Sequence, residues 1–229
     1  MKVELISYSN LNEKVCGIAS KTCVSDHIPD KEEDVMKSLK GAIDSGHESV
    51  LEHWSATFAI EGISRACSHQ LVRHRMASYS QQSQRYVRMD GFEYVMPESF
   101  TTTVTDDYWN TESGDNSTLA SEEFESLMDV IGELYERMIR AGIPEEDARY
   151  ILPNACCTNI VVSMNARELL HFFRLRCCHR AQWEIRELAD KMLDLVKDVA
   201  PIIFDKAGPS CVATGRCPEG KRSCGRVKE

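Results

Sequence analysis

From residue 62 to residue 89 the chain carries no aspartate or glutamate, although acidic residues outnumber basic ones 36 to 27 overall and the formal charge is −9. The same window holds Arg65, Arg73, Arg75, Arg85 and Arg88, with His69 and His74. Concentrated like charge repels itself, so the fold has to bring something negative against this stretch. Two sources are open. Carboxylates from elsewhere in the chain would make it an ordinary solvated face; an anionic ligand would make it a site. Arginine forks match phosphate oxygens in pairs, and hydroxyls and amides complete such a cradle. Ser78, Ser80, Gln81, Gln82, Ser83 and Gln84 supply both groups directly after the first arginines. The stretch is a candidate site for an anionic small molecule such as a phosphate ester.

The rest of the chain bounds that reading. At 229 residues it is one large domain, or a core with appendages, and long enough to bury a substantial interior. Residues 1–15 contain no signal-like apolar segment, and no apolar run approaches the roughly 20 residues that span a bilayer. A cytoplasmic location without a membrane partner is expected. The acidic total argues against a general nucleic-acid surface. A nucleotide- or RNA-binding module built on the Arg65–Arg88 stripe is the alternative reading. Ten cysteines without a secretory signal point to reduced thiols, most of them small core residues.

Periodicity and punctuation place the elements. Lys2–Ser7 and Ser55–Ile63 alternate as strands. Asp30 can cap a helix to about Ser45, with Val35, Leu39 and Ile43 on one face and Gly46 as its stop. Gly46–Trp54 then holds two histidines and two acids, but His47 and His53 lack the i,i+4 spacing of a helical metal pair, so hydrogen bonding or ligand contact is expected there. Ser64 can start a helix running to about Arg75, which puts Arg73–Arg75 at a helix end and Ser78–Gln84 in a polar loop. Gly91–Met96 is expected as a strand, and Thr101–Thr118 as a mobile or variable insertion. A long amphipathic helix follows from Leu119, with Phe124, Leu127, Met128, Ile131, Leu134, Tyr135 and Met138 on one stripe, ended by Gly142. Glu145–Leu152 forms a short helix presenting Arg149. Ala155–Met164 is expected as a buried strand. Asn165 caps the next helix, which sets Arg167, His171 and Arg174 on one side. That second cationic cluster at a helix start suits phosphate, a solvated face being the alternative. Ala181–Phe204 is helical with a break at Pro201. Residues 208–229 are expected to fray. A zinc on Cys211, Cys217 and Cys224 would need a fourth ligand such as Cys178 or His179, and no metal is expected.

Arg73-His74-Arg75, seven residues and then Ser83 resemble the RHR-x7-S signature of flavin-dependent thymidylate synthases. Supporting elements follow in order: Gly46-His47-Glu48 with Glu52-His53, Gln70 ahead of Arg73, Asn165-Ala166-Arg167, and Arg176 followed by Ala181-Gln182-Trp183-Glu184-Ile185. The resemblance covers roughly residues 1–204, which suggests a synthase domain over 1–207 and a cysteine-bearing tail over 208–229. It implies an α/β (α+β) fold with a mixed sheet and long helices, assembled as a homotetramer with active sites between subunits. It also implies reductive methylation of dUMP to dTMP, with methylenetetrahydrofolate as carbon donor and FAD, reduced by NADPH, as hydride carrier. The chain has no GxGxxG, so a Rossmann flavin site is not expected.

Carried over to this chain, the resemblance assigns Gln70, Arg73, Gln81, Gln82, Ser83, Gln84, Arg85, Arg149 and Arg176 to dUMP. It assigns Ser49, Arg73, His74, Arg75, Gln81, Asn165, Arg167 and His171 to FAD. Arg176 is the catalytic candidate, because a guanidinium at the uracil edge favours the ionised ring and stabilises charge developing as C5 turns nucleophilic. A serine hydroxyl is a weak nucleophile without an adjacent base, and the resemblance assigns Ser83 to holding dUMP instead. The chain departs from many relatives at Ser80, Gln81 and His171, where Asn, Glu and Asn are common, and at Arg180, where some carry His.

Overall fold

The computed structural model describes residues 1–29, 31–105 and 117–227. In chain order its elements are β1 (Lys2–Tyr8), α1 (Lys14–Thr22), α2 (Glu32–Asp44), β2 (Ser55–Ser64), α3 (Arg65–Leu71), β3 (Ala77–Gln81), β4 (Thr103–Thr105), β5 (Ser117–Leu119), α4 (Ala120–Arg140), α5 (Glu145–Ala148), β6 (Cys157–Asn165), α6 (Ala166–Arg176), α7 (Trp183–Val199), α8 (Pro201–Phe204) and α9 (Ser210–Thr214). The architecture is mixed α/β. Its contacts define two compact units. One comprises Met1–Glu61, Cys67–Gln81 and Asn159–Glu229; the other comprises Gly62–Ala66 and Gln82–Thr158.

The first unit is built on a four-stranded sheet in the order β1-β2-β6-β3. β1 runs antiparallel to β2, with Leu5 opposite Phe58, and β3 runs antiparallel to β6, with Tyr79 opposite Val162. β2 buries Ala56, Phe58 and Ile60, the period-two face its sequence predicts. β6 is the expected buried strand, burying Thr158, Ile160, Val162 and Met164 on one face while Val161 is exposed on the other. Helices α6 and α7 pack on each other, and the centre is filled by Trp54, Phe58, Leu169, Phe172, Phe173, Leu188 and Phe204, all fully buried. Each such side chain contributes about 1.5–3 kcal/mol by leaving water.

Helix α1, which periodicity did not predict, packs on α2 through Gly17. A Cβ at that position would lie 2.6 Å from the Val35 carbonyl oxygen, so only glycine allows this approach. Helix α2 buries Val35, Leu39 and Ala42. It ends as expected at Gly46, whose φ of +72° lets Gly46 N–H reach Ile43 O at 3.1 Å and His47 N–H reach Ala42 O at 2.9 Å. Its expected cap, Asp30, lies outside the described residues. At the other end of the chain the Glu13 carboxylate accepts from Ile202 N–H at 2.9 Å and Ile203 N–H at 3.3 Å, which caps α8. Residues 208–214 are not frayed: Gly208, Pro209 and Cys211 are buried and α9 packs on α6.

The second unit surrounds α4. Met89, Tyr135, Ala148 and Cys156 form its small core, flanked by Phe92, Met138, Ile139, Ile143, Ile151 and Leu152, and Met89 N–H donates to the Tyr135 hydroxyl at 3.2 Å. Leu127 and Leu134 are exposed, so the predicted stripe is buried only in part. The strand expected over Gly91–Met96 is reduced to one bridge between Tyr94 and Cys156. The helix expected over Glu145–Leu152 is α5 followed by a 3₁₀ turn, Arg149–Ile151. Of the expected insertion, residues 106–116 lie outside the described residues. Among the described residues no helix is long and apolar enough to cross a membrane.

Candidate active site

Residues Arg73–Arg75 form the turn between α3 and β3. The helix stops at Leu71, earlier than expected, because Ala77–Gln81 is recruited into the sheet beside β6. A segment this polar reads as loop in isolation; its backbone is satisfied by its neighbour strand. Alternation then turns Ala77, Tyr79 and Gln81 to one side and exposes Ser78 and Ser80. The Tyr79 hydroxyl lies 2.9 Å from Leu71 O and 2.8 Å from His74 O, a phenol clamped on the carbonyls of the turn, and burial pushes its pKa up. Gln81 Nε2 donates to Ser68 Oγ at 2.9 Å, tying β3 to α3. These two contacts hold the backbone that carries Arg73, His74 and Arg75.

The three motif residues part company at the turn. Arg73 and Arg75 are exposed, while His74 is buried. His74 Nδ1 lies 3.1 Å from Glu168 Oε1, and Arg176 Nε donates to His74 Nε2 at 3.1 Å. Since Nε2 accepts, the proton of the neutral ring belongs on Nδ1, where it donates to Glu168. The ring is wedged edge-on against Phe172 at 4.9 Å and His171 at 5.8 Å. Desolvation lowers the His74 pKa most; the Glu168 bond opposes it and the Arg176 charge adds to it. Burial also pulls the half-buried Arg176 guanidinium below its ordinary value.

Helix α6 supplies most of this cluster, because Glu168, His171, Phe172 and Arg176 recur on one side at helical spacing. Asn165 starts the helix as expected, its Oδ1 accepting from Glu168 N–H at 2.9 Å. The ligand atoms of His74, Glu168 and His171 lie within 4.8 Å of one another, close enough to share a cation. The Arg176 guanidinium already occupies His74 Nε2, however, and would repel one.

The outer side of α6 is different. Arg167 pairs with Glu52 at 2.5 Å and Arg174 with Glu48 at 2.5 Å, both acids coming from the 3₁₀ turn Glu48–His53. The acids of Gly46–Trp54 therefore bind α6 arginines. Arg174 Nε is nonetheless buried without a hydrogen-bond partner among the described residues. Ser49 is exposed on the same turn, and Gln70 is half-buried on α3.

Gln82, Ser83, Gln84, Arg85 and Arg149 belong to the second unit. Ser83 Oγ accepts from Arg85 N–H at 3.2 Å, and its carbonyl accepts from Val87 N–H at 3.0 Å, so this serine shapes a turn. Arg85 pairs with Glu146 at 2.9 Å, and Arg149 Nε donates to the Glu146 carbonyl at 3.1 Å. Gln84 Nε2 points to Cys156 Sγ at 3.9 Å, and Gln82 is half-buried. Arg88 pairs with Asp90 at 2.8 Å.

The charge question of the acid-free stretch thus has a divided answer. Arg85 and Arg88 receive carboxylates, which interrupts the Arg65–Arg88 stripe. Arg73 and Arg75 receive none among the described residues. Sequence reasoning missed Glu168, Tyr79 and Ser68. Glu168 carried a partial signal, an acid in the first turn of a capped helix, but its target is 94 positions away.

The family model described as thymidylate synthase complementing protein matches residues 4–202. A flavin-dependent thymidylate synthase from Geobacter sulfurreducens is 50% identical over 237 aligned residues, spanning 100% of this chain and 96% of that protein. One from Clostridium tetani is 48% identical, spanning 100% and 95%. One from Nitratidesulfovibrio vulgaris is 48% identical over 198 residues, spanning 82% and 75%.

Proposed function

This chain belongs to the flavin-dependent thymidylate synthase family, and from that premise we propose that it makes dTMP by reductive methylation of dUMP. Methylenetetrahydrofolate is the carbon donor and NADPH the source of reducing equivalents. The enzyme works as a homotetramer with its active sites between subunits.

The residues present fit a flavin dinucleotide. Exposed Arg73 and Arg75 offer guanidinium donors that no described carboxylate takes, which suits a pyrophosphate. The unpartnered Arg174 Nε leaves a buried donor in want of an acceptor. Ser49, Arg73, His74, Arg75, Gln81, Asn165, Arg167 and His171 would hold FAD. When bound and reduced, FAD supplies the hydride.

Arg176 is the observation that carries the reading. Its Nε is anchored on His74, while its two Nη groups make no bond among the described residues. They are left to face the O2/N3 edge of a uracil. In a partly desolvated setting a fixed cation stabilises developing negative charge better than water does, because it need not reorganise. Glu168 holds the His74 tautomer whose Nε2 lone pair receives Arg176. Gln70, Arg73, Gln81, Gln82, Ser83, Gln84, Arg85 and Arg149 would bind the rest of dUMP, the arginines at its phosphate.

The test is an assay of the purified chain with FAD, dUMP, methylenetetrahydrofolate and NADPH. Formation of dTMP with a bound oxidised-flavin absorbance band is expected. Protein that neither retains FAD nor makes dTMP would sink the proposal.

A further inference from the structure

We propose that Cys178, Cys211, Cys217 and Cys224 form a tetrahedral zinc site that fastens the C-terminal segment to the end of α6. The four line a single cavity of about 250 Å³. They come from three places: Cys178 just beyond α6, Cys211 in α9, and Cys217 and Cys224 on either side of the 3₁₀ turn Gly220–Arg222. Chain folding sets Cys178 against a cavity that it shares with three cysteines of the C-terminal segment, and four thiolates are the donor set of a closed structural zinc site.

The segment itself argues for a staple. After Cys211 its aliphatic side chains amount to Val212, Ala213 and Val227. Val212 is exposed, so burial cannot hold these residues in place. Small apolar-poor segments become ordered through a disulfide or a metal, and all ten cysteines are free thiols. Electrostatics agree. The same cavity is lined by Arg174, Arg176, Arg180 and Arg226 against one acid, Glu219. Arg174 already has Glu48 and Arg176 is kept for the substrate, which leaves Arg180 and Arg226 to face the dianion that zinc with four thiolates would form. His179 is a neighbour and not a ligand, its Nε2 being taken by Arg226.

Among the described residues the sulfurs do not yet stand as a group with ligand atoms within 4.8 Å of one another. Metal sites of this kind form together with their local fold and are seldom prearranged without the ion.

The experiment is metal analysis of the full chain purified under reducing conditions without chelator. One zinc per chain is expected, replaceable by cobalt with the sulfur-to-metal charge-transfer and visible bands of tetrahedral thiolate ligation. Cys217→Ser and Cys224→Ser should each weaken metal retention more than about tenfold. Cys217→His should restore retention with shifted cobalt bands, and Cys23→Ser, at an exposed thiol outside the cavity, should change nothing. Far-ultraviolet circular dichroism checks that the variants fold. Wild-type protein without zinc, iron in its place, a Cys217–Cys224 disulfide, or full retention in both serine variants would overturn the site.

Discussion

Arg167 and Arg176 stand at opposite ends of α6 and meet opposite partners. Arg167 is exposed and sits against a carboxylate, Glu52. Arg176 is half-buried and sits against an imidazole, His74, that burial keeps neutral. A guanidinium given a carboxylate has its charge answered within the chain. One given a neutral acceptor is oriented but not neutralised, and in the proposed reaction its charge meets dUMP. The helix accommodates both, since Arg176 also lies near the carboxyl end of its dipole, where a cation is favoured.

The sharpest way to break the comparison is Arg176→Ala. Loss of about 10²–10³-fold or more in kcat for dTMP formation is expected, the scale of removing a preorganised electrostatic donor, with FAD retained. Steady-state turnover and flavin absorbance read the two effects separately, and near-normal turnover would reduce Arg176 to packing.

Glu168→Ala comes next. It strips the acceptor from His74 Nδ1 and should cost about 1–3 kcal/mol in denaturant unfolding, the cost of a buried unpaired donor. It should also shift the His74 ¹⁵N signals away from the Nδ1–H tautomer. Glu168→Gln, which keeps an acceptor oxygen, should restore the tautomer. An unchanged ¹⁵N spectrum in the alanine variant would remove Glu168 from the orienting chain.

His74 predicts a pH effect of smaller size. Its folded pKa is depressed, so below the ordinary histidine value near 6.5 the unfolded chain takes up a proton that the native ring resists. Stability present above that pH is lost as pH falls through the folded value. His74→Gln should flatten this part of the profile, measured by denaturant midpoints between about pH 7 and pH 5; an equally steep fall would assign the effect to other groups.

Arg167→Ala should matter least to stability. Exposed ion pairs contribute about 0–1 kcal/mol, so the change should stay in that range and shrink with added salt. A loss well above it would show that the outer face of α6 is more than a latch.

Much of this architecture was legible where the physics is local. Asn165 announced its helix because an amide three residues away needs an acceptor. Gly46 announced an end because a left-handed residue closes the last carbonyls of α2. The alternation of β2 survived because one of its faces is buried. The motif Arg73-His74-Arg75 with Asn165-Ala166-Arg167 and Arg176 was legible as a family resemblance, and the family is the one the chain belongs to. By contrast Ala77–Gln81 gave no strand signal, since its apolar content is low and its hydrogen bonds depend on β6. Helix α1 escaped because Gly17, unfavourable within a helix, is there for Val35.

Residue types and short spacings therefore determined that a cationic, acid-free stretch lies within an acidic chain and that its motifs resemble one enzyme family. The tertiary structure decided which cations already face a carboxylate within the chain. Arg167 and Arg174 find their acids 115 and 126 positions away, and His74 finds Glu168 at 94 and Arg176 at 102. Charge neutralisation acts through space, so no local pattern can say whether a given arginine is already answered.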